Sequence, residues 1–184
     1  MATETAPVQK PVQKREIFGW AMYDFANSSY TTVVISLLYS SFFVAHIVPA
    51  DSASRDTYWS IAMVTSTVLA IILSPLVGAI CDYGGGKKRW LAATTAVCGV
   101  STAMLWFVEP GDVWFAIALI TISNCAFMLG EAFCGSFLPD LATKKNMAVI
   151  SGLGWGLGYF GGLTSLVLVK LTITAEPADD LLAY

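Results

Sequence analysis

Charge is scarce in this sequence. Asp, Glu, Lys and Arg make up 12% of its 184 residues, against ~25% in soluble domains. So thin a polar coat cannot hold a folded chain of this size in water, which excludes an ordinary soluble enzyme and a disordered chain. The net charge of −3 supplies no basic field for phosphates. The basic residues fall in small clusters rather than one patch, so nucleic acid is excluded as a partner. Histidine occurs once, as His46 near the outer end of the first apolar run, and reads as an interfacial residue rather than a proton relay. Cys81, Cys98, Cys125 and Cys134 form no C-x-x-C pair and fall on no oxidising side, so neither a disulfide framework nor a metal site is expected. No nucleophile and base stand together, and no enzyme activity or cofactor is expected. The glycines build no nucleotide loop either: the G-L-G-W-G-L-G run lacks a preceding strand, and G-G-G-K-K lacks the Walker spacing.

Long apolar runs are what the sequence does have, with 56% hydrophobic residues. A bilayer-crossing helix needs ~20 mostly apolar residues. Five runs qualify, at about 17–48, 57–80, 90–108, 113–137 and 148–169. The fold class expected is therefore an all-α polytopic membrane protein, its bundle over 16–170. Residues 1–15 read as a polar cytoplasmic tail, and 171–184 as an external segment. The first run is long enough to tilt strongly or to begin with an interfacial turn. Turn residues fill the gaps: Pro49, three glycines at 84–86, Pro110-Gly111 and Pro139-Asp140.

Orientation follows from the basic residues. All of the 10 except Arg55 and Lys170 fall on one side of a five-span arrangement. That places the N-terminus in the cytoplasm. Asp51, Asp56, Glu109 and Asp112 gather on the opposite side, and Trp20, Trp59, Trp90, Trp106 and Trp114 lie near span ends, as aromatic belts do.

Two carboxylates interrupt these runs. An ionisable side chain in a transmembrane segment costs on the order of 2.5–3.5 kcal/mol by insertion scales, so it normally faces a cavity or a partner. Asp24 sits in Tyr23-Asp24-Phe25-Ala26-Asn27, and Glu131 follows Asn124 by two helical turns. Trp20, Asp24, Asn27 and Thr31 share one stripe of the first helix; Asn124 and Glu131 share one of the fourth. Both carboxylates lie ~9–10 Å inside the cytoplasmic ends of their helices, at 1.5 Å per residue. At equal depth the two seams can line one cavity, and a carboxyl group there could carry a proton during transport. Two readings stay open. Tyr23, Asp24, Asn27, Asn124 and Glu131 line a solute path, or Asp24 starts a helix at headgroup level while Glu131 bonds to a neighbour.

In the fifth run Gly154, Gly158 and Gly162 form a G-x-x-x-G-x-x-x-G stripe, which permits close approach of helix backbones. Static packing accounts for it; a sliding contact in a moving transporter is the sharper alternative.

Between the second and third runs, Gly78, Asp82, Gly85, Lys87 and Lys88 spell G-x-x-x-D-x-x-G-x-K-K. Unaided, this reads as a tight turn with basic anchors. The pattern resembles the signature loop of the major facilitator superfamily, although Tyr83 and Gly86 stand where basic residues are usual. A narrower resemblance rests on residues 19–28, on Phe137-Leu138-Pro139-Asp140 and on the 151–162 glycine run. Together these are similar to the vacuole-effluxer-like branch, which includes autophagy-linked vacuolar amino-acid exporters. The likeness covers roughly residues 15–170.

The resemblance implies an N-terminal part of a twelve-helix transporter with alternating access around a central cavity lined by the first and fourth helices. It implies a loop acid, Asp82, that braces the cytoplasmic gate against the second half. The expected function is secondary active transport of a small solute, with an amino acid leaving the cytoplasm and proton coupling as candidates. The expected location is a bacterial cytoplasmic (inner) membrane. The expected partners are the lipid bilayer, the solute, protons and a C-terminal transporter half. With five runs ending by Lys170, a truncated or split reading frame is expected. The alternative is a non-transporting interaction or regulatory protein, or an inactive fragment.

Overall fold

The structure is a computed structural model that describes residues 13–50, 52, 54–83 and 86–175, the side chains of 82–83 and 173–175 excepted. The described residues are helical with short connections and no strands, the form a bilayer demands because backbone groups must be satisfied within each segment. Five helices are long and apolar enough to cross a membrane: Lys14–Ile47, Arg55–Cys81, Lys87–Phe107, Val113–Leu141 and Met147–Thr172. They are called the first to fifth helix below. The chain is a multi-pass integral membrane protein. The polar 1–12 and the acidic 176–184 lie outside the described residues.

The first helix begins where the backbone N–H of Gln13 donates to the Glu16 carboxylate at 3.1 Å. It then departs from uniform α geometry, since Tyr30–Leu37 and Phe43–Ile47 are π-helical. Widened turns of this kind are rare and concentrate at functional sites. The Thr31 and Thr32 hydroxyls both donate to the Ser28 carbonyl, at 3.0 and 2.9 Å, where the widening begins. In the second helix Pro75 removes one backbone donor within an otherwise apolar run.

The fourth helix is the axis of the bundle. Its most apolar stretch is 61% buried, whereas those of the other four are 17–28% buried. The second and third helices pack along it, and the first packs mainly against the fifth. At one end Phe43, Ile47 and Val48 meet Ala62, Leu105 and the fourth-helix residues Val113, Ala116, Ile117 and Ile120 in a dry core. The connections seal that end. Gly111 donates its N–H to the Ile47 carbonyl at 2.9 Å and adopts φ +100°, a left-handed conformation that glycine alone takes cheaply. Arg55, one of the two basic residues away from the main clusters, caps the first helix by donating to the carbonyls of Val48 and Pro49, each at 3.2 Å. Its guanidinium satisfies helix-end acceptors, which accounts for a cation at that position.

The first and fifth helices touch backbone to backbone. A Cβ on Gly161 would collide with the Phe25 carbonyl oxygen and come within 2.9 Å of Phe25 Cα. By contrast, a Cβ on Gly156 meets nothing within 4 Å. Gly161→Ala is expected to cost ~1–3 kcal/mol, the range for overpacked sites, while Gly156→Ala should be neutral or slightly stabilising. Thermal unfolding midpoints in detergent check this pair; equal midpoints would remove the close approach as a determinant of the fold.

Candidate functional site: a cavity between the first, fourth and fifth helices

The polar seam of the first helix divides between two neighbours. Toward the fourth helix, Asn27 donates through Nδ2 to Glu131 Oε1 at 2.5 Å. One turn further, Tyr30 and Ser123 share a buried hydroxyl–hydroxyl bond of 2.8 Å, and the Tyr30 ring stacks on Phe127 at 5.1 Å. Toward the fifth helix, Trp20, Asp24, Ser28 and Thr32 follow one another at i+4 and meet the glycine stripe in register. A Cβ on Gly154 would lie 2.6 Å from the Trp20 ring. One on Gly158 would lie 2.8 Å from Asp24 Oδ2 and 2.9 Å from Ser28 Oγ, and one on Gly162 would lie 2.6 Å from Thr32 Oγ1. The glycines thus admit polar side chains that any larger residue would displace.

Where side chains are missing, space remains. A cavity of about 550 Å³ opens here, with Asp24, Ser28, Thr31 and Thr32 from the first helix and Glu131 from the fourth supplying its polar lining. Phe127, Trp155 and Tyr159 add aromatic side chains to the lining, and the last two rings pack edge to face at 6.2 Å. Both membrane-embedded carboxylates therefore share one cavity. Among the described residues, no lysine, arginine or histidine lines it.

Other expected path residues point elsewhere. Asn124 is 8% exposed and donates to Ser66 Oγ of the second helix at 2.7 Å, so it joins two helices and does not line the cavity. Tyr23 shares a 3.1 Å hydroxyl bond with Thr95 of the third helix, close to Gly130, whose missing side chain leaves room for the phenol. Trp20, half-buried near the start of the first helix, donates its indole N–H to the Cys134 carbonyl of the fourth at 2.9 Å. Ser28, Thr32 and the Trp155–Tyr159 pair line the cavity although the sequence does not single them out as path residues. The i+4 steps from Asp24 to Ser28 and Thr32, matched to glycines four apart, were a usable signal; the aromatic pair carried none beyond exposure.

At the end of the bundle bearing Lys87, the start of the third helix is joined to the end of the fourth. Lys87 Nζ donates to the Asp140 carboxylate at 3.0 Å and to the Ser136 carbonyl at 3.2 Å, above the Phe137 ring at 5.8 Å. The loop motif and the Phe-Leu-Pro-Asp motif, separate in sequence, are thus one contact. A Cβ on Gly78 would meet nothing within 4 Å, and Lys88 is exposed. Gly85 and the Asp82 side chain lie outside the described residues.

A family profile described as "Vacuole effluxer Atg22 like" matches residues 48–180. The chain belongs to this Atg22-like family. It is also 32% identical over 166 residues to an uncharacterized MFS-type transporter, YxiO, of Bacillus subtilis (strain 168). That match covers 89% of this chain and 39% of the relative, so the chain spans well under half the relative's length. No solved structure matches it. The profile begins at Val48, so the first helix, which carries Asp24 and Asn27, lies ahead of it.

In this Atg22-like chain the Lys87–Asp140 pair is half exposed, the Asp140 side chain being 62% and that of Lys87 24% exposed. Exposed pairs are worth ~0.2–1 kcal/mol. A double-mutant cycle with Lys87→Met and Asp140→Asn should give a coupling in that range that fades in high salt. A larger, salt-independent coupling would mean that the pair is shielded from water.

Proposed function

We propose that the chain serves as the N-terminal part of a secondary active transporter that moves a small solute by alternating access. The observation that carries this reading is the cavity itself. Two carboxylates that a bilayer tolerates badly share one space with the glycine seam of the fifth helix. Family membership and the MFS-type relative support transport in general.

In this reading Asp24 and Glu131 face the solute, and Asn27 orients the Glu131 carboxylate through their hydrogen bond. Tyr23 and Asn124 act through others, holding the third and second helices against the path. The fifth helix, seated on the first through bare glycine backbone, presents little steric resistance to sliding. Gly78, Asp82, Gly85, Lys87 and Lys88 form the cytoplasmic gate, with Lys87 tied to the end of the fourth helix. The membrane is a bacterial cytoplasmic membrane, the solute an amino acid leaving the cytoplasm, and protons the coupling ion through Glu131. The rival reading, assembly through the glycine face, is disfavoured because the first helix already fills that face.

Flux of radiolabelled alanine, phenylalanine, lysine and glutamate in inverted vesicles carrying the chain tests this. At least one of them is expected to move at a rate that changes between pH 5.5 and 8, with Glu131→Gln lowering the rate and flattening its pH profile. Movement with an unchanged pH profile in Glu131→Gln would end the proton role, and no movement of any of the four would count against solute transport by this chain.

A further inference from the structure

The charge of the cavity is one-sided. Two carboxylates line it, while the basic residues nearest in sequence to its walls stand outside the lining: Lys170, four residues beyond Leu166 in the fifth helix, Arg15 at the start of the first helix, and Lys144 and Lys145 in a connection. The polar remainder is the hydroxyls of Ser28, Thr31 and Thr32, which donate or accept as required. One Glu131 oxygen takes the Asn27 amide hydrogen, and Asp24 Oδ2 points at bare glycine backbone. An anionic solute entering this space would meet two like charges in a medium that screens them poorly. A cation would offset both.

The aromatic side of the cavity adds a second, independent constraint. Phe127, Trp155 and Tyr159 come from two different helices and border the same space as the carboxylates. Ring faces attract cations, and Trp does so most strongly. Leu163 and Leu166 extend this border with aliphatic surface. A ligand matched to such a site has a positive end for the carboxylates and an apolar body for the rings, the mix of few polar groups on an apolar wall typical of small-molecule sites.

We propose that the cavity receives the ammonium group of an organic amine at Asp24 and Glu131, with the apolar body of the amine against Phe127, Trp155 and Tyr159. This rests on the reading of the cavity as the solute site and narrows its occupant. Any carboxylate on the solute lies away from the Asp24–Glu131 wall.

The test uses membrane vesicles carrying the 184-residue chain, with chain-free vesicles as the blank for lipid partitioning. Four radiolabelled probes share one ring and differ in charge: phenethylamine, phenylalanine, 3-phenylpropionate and 2-phenylethanol. Saturable binding is expected for phenethylamine and phenylalanine, with 3-phenylpropionate and 2-phenylethanol at least tenfold weaker. Asp24→Asn and Glu131→Gln should each weaken phenethylamine at least tenfold and leave 2-phenylethanol within threefold. Asp24→Asn keeps the Asn27–Glu131 bond, so it reads charge without disturbing that contact. Equal or tighter binding of 3-phenylpropionate or 2-phenylethanol, or phenethylamine binding that survives both substitutions together, would overturn the amine assignment and leave the cavity as a solute site. No saturable binding of any of the four would overturn both.

Discussion

A polar stripe inside a membrane bundle must be covered, because lipid offers it no hydrogen bonds, and the first helix carries such a stripe for several turns. The fold covers it in two ways. Toward the third and fourth helices each polar group finds a named partner: Tyr23 with Thr95, Asn27 with Glu131, Tyr30 with Ser123. Toward the fifth helix the cover is glycine backbone brought so close that Gly161 rests on the Phe25 carbonyl. Removing side chains from one wall lets the helices meet at Gly161 and Gly154, and it leaves the carboxylate of Asp24 beside open space. The cavity is thus a consequence of how the seam is covered.

This arrangement separates the bundle into two regions. Around Ile47 and Gly111 the helices close on a dry core whose members are nearly all apolar, sealed by backbone bonds and by Arg55. Around Asp24 and Glu131 the packing is polar, glycine-lined and open. The fourth helix runs through both regions, and the π-helical Tyr30–Leu37 joins them along the first. The closed end is built from the first four helices and the open one from the first, fourth and fifth.

Much of this was legible beforehand. Hydropathy located the five long helices, because burial of apolar runs in lipid depends on composition and length alone. The polar seam and the glycine stripe were visible as i+4 spacings, since helical periodicity is a property of the chain. The partner of each seam residue was not visible. Asn124 and Glu131 lie on one stripe of one helix, yet Asn124 turns to Ser66 and Glu131 to the cavity, because the neighbour beside a stripe changes over two turns. The position of Trp20 near a helix end was legible, but its indole bond to the Cys134 carbonyl was not, since a span boundary does not specify which neighbour a side chain meets. The π-helical turns had no spacing signature, as they arise from how carbonyls are satisfied locally.

The scarcity of charge was the first thing the sequence offered, and by itself it determined a membrane-embedded, all-helical protein with two carboxylates in need of a reason. The tertiary structure decided that both carboxylates belong to one cavity, that the glycine stripe is what holds that cavity against the first helix, and that Lys87 and Asp140 join the start of the third helix to the end of the fourth. Solvent preference is written residue by residue and survives without any knowledge of neighbours. Which face meets which is settled only when the helices pack, because close approach, hydrogen-bond partners and leftover space are properties of pairs.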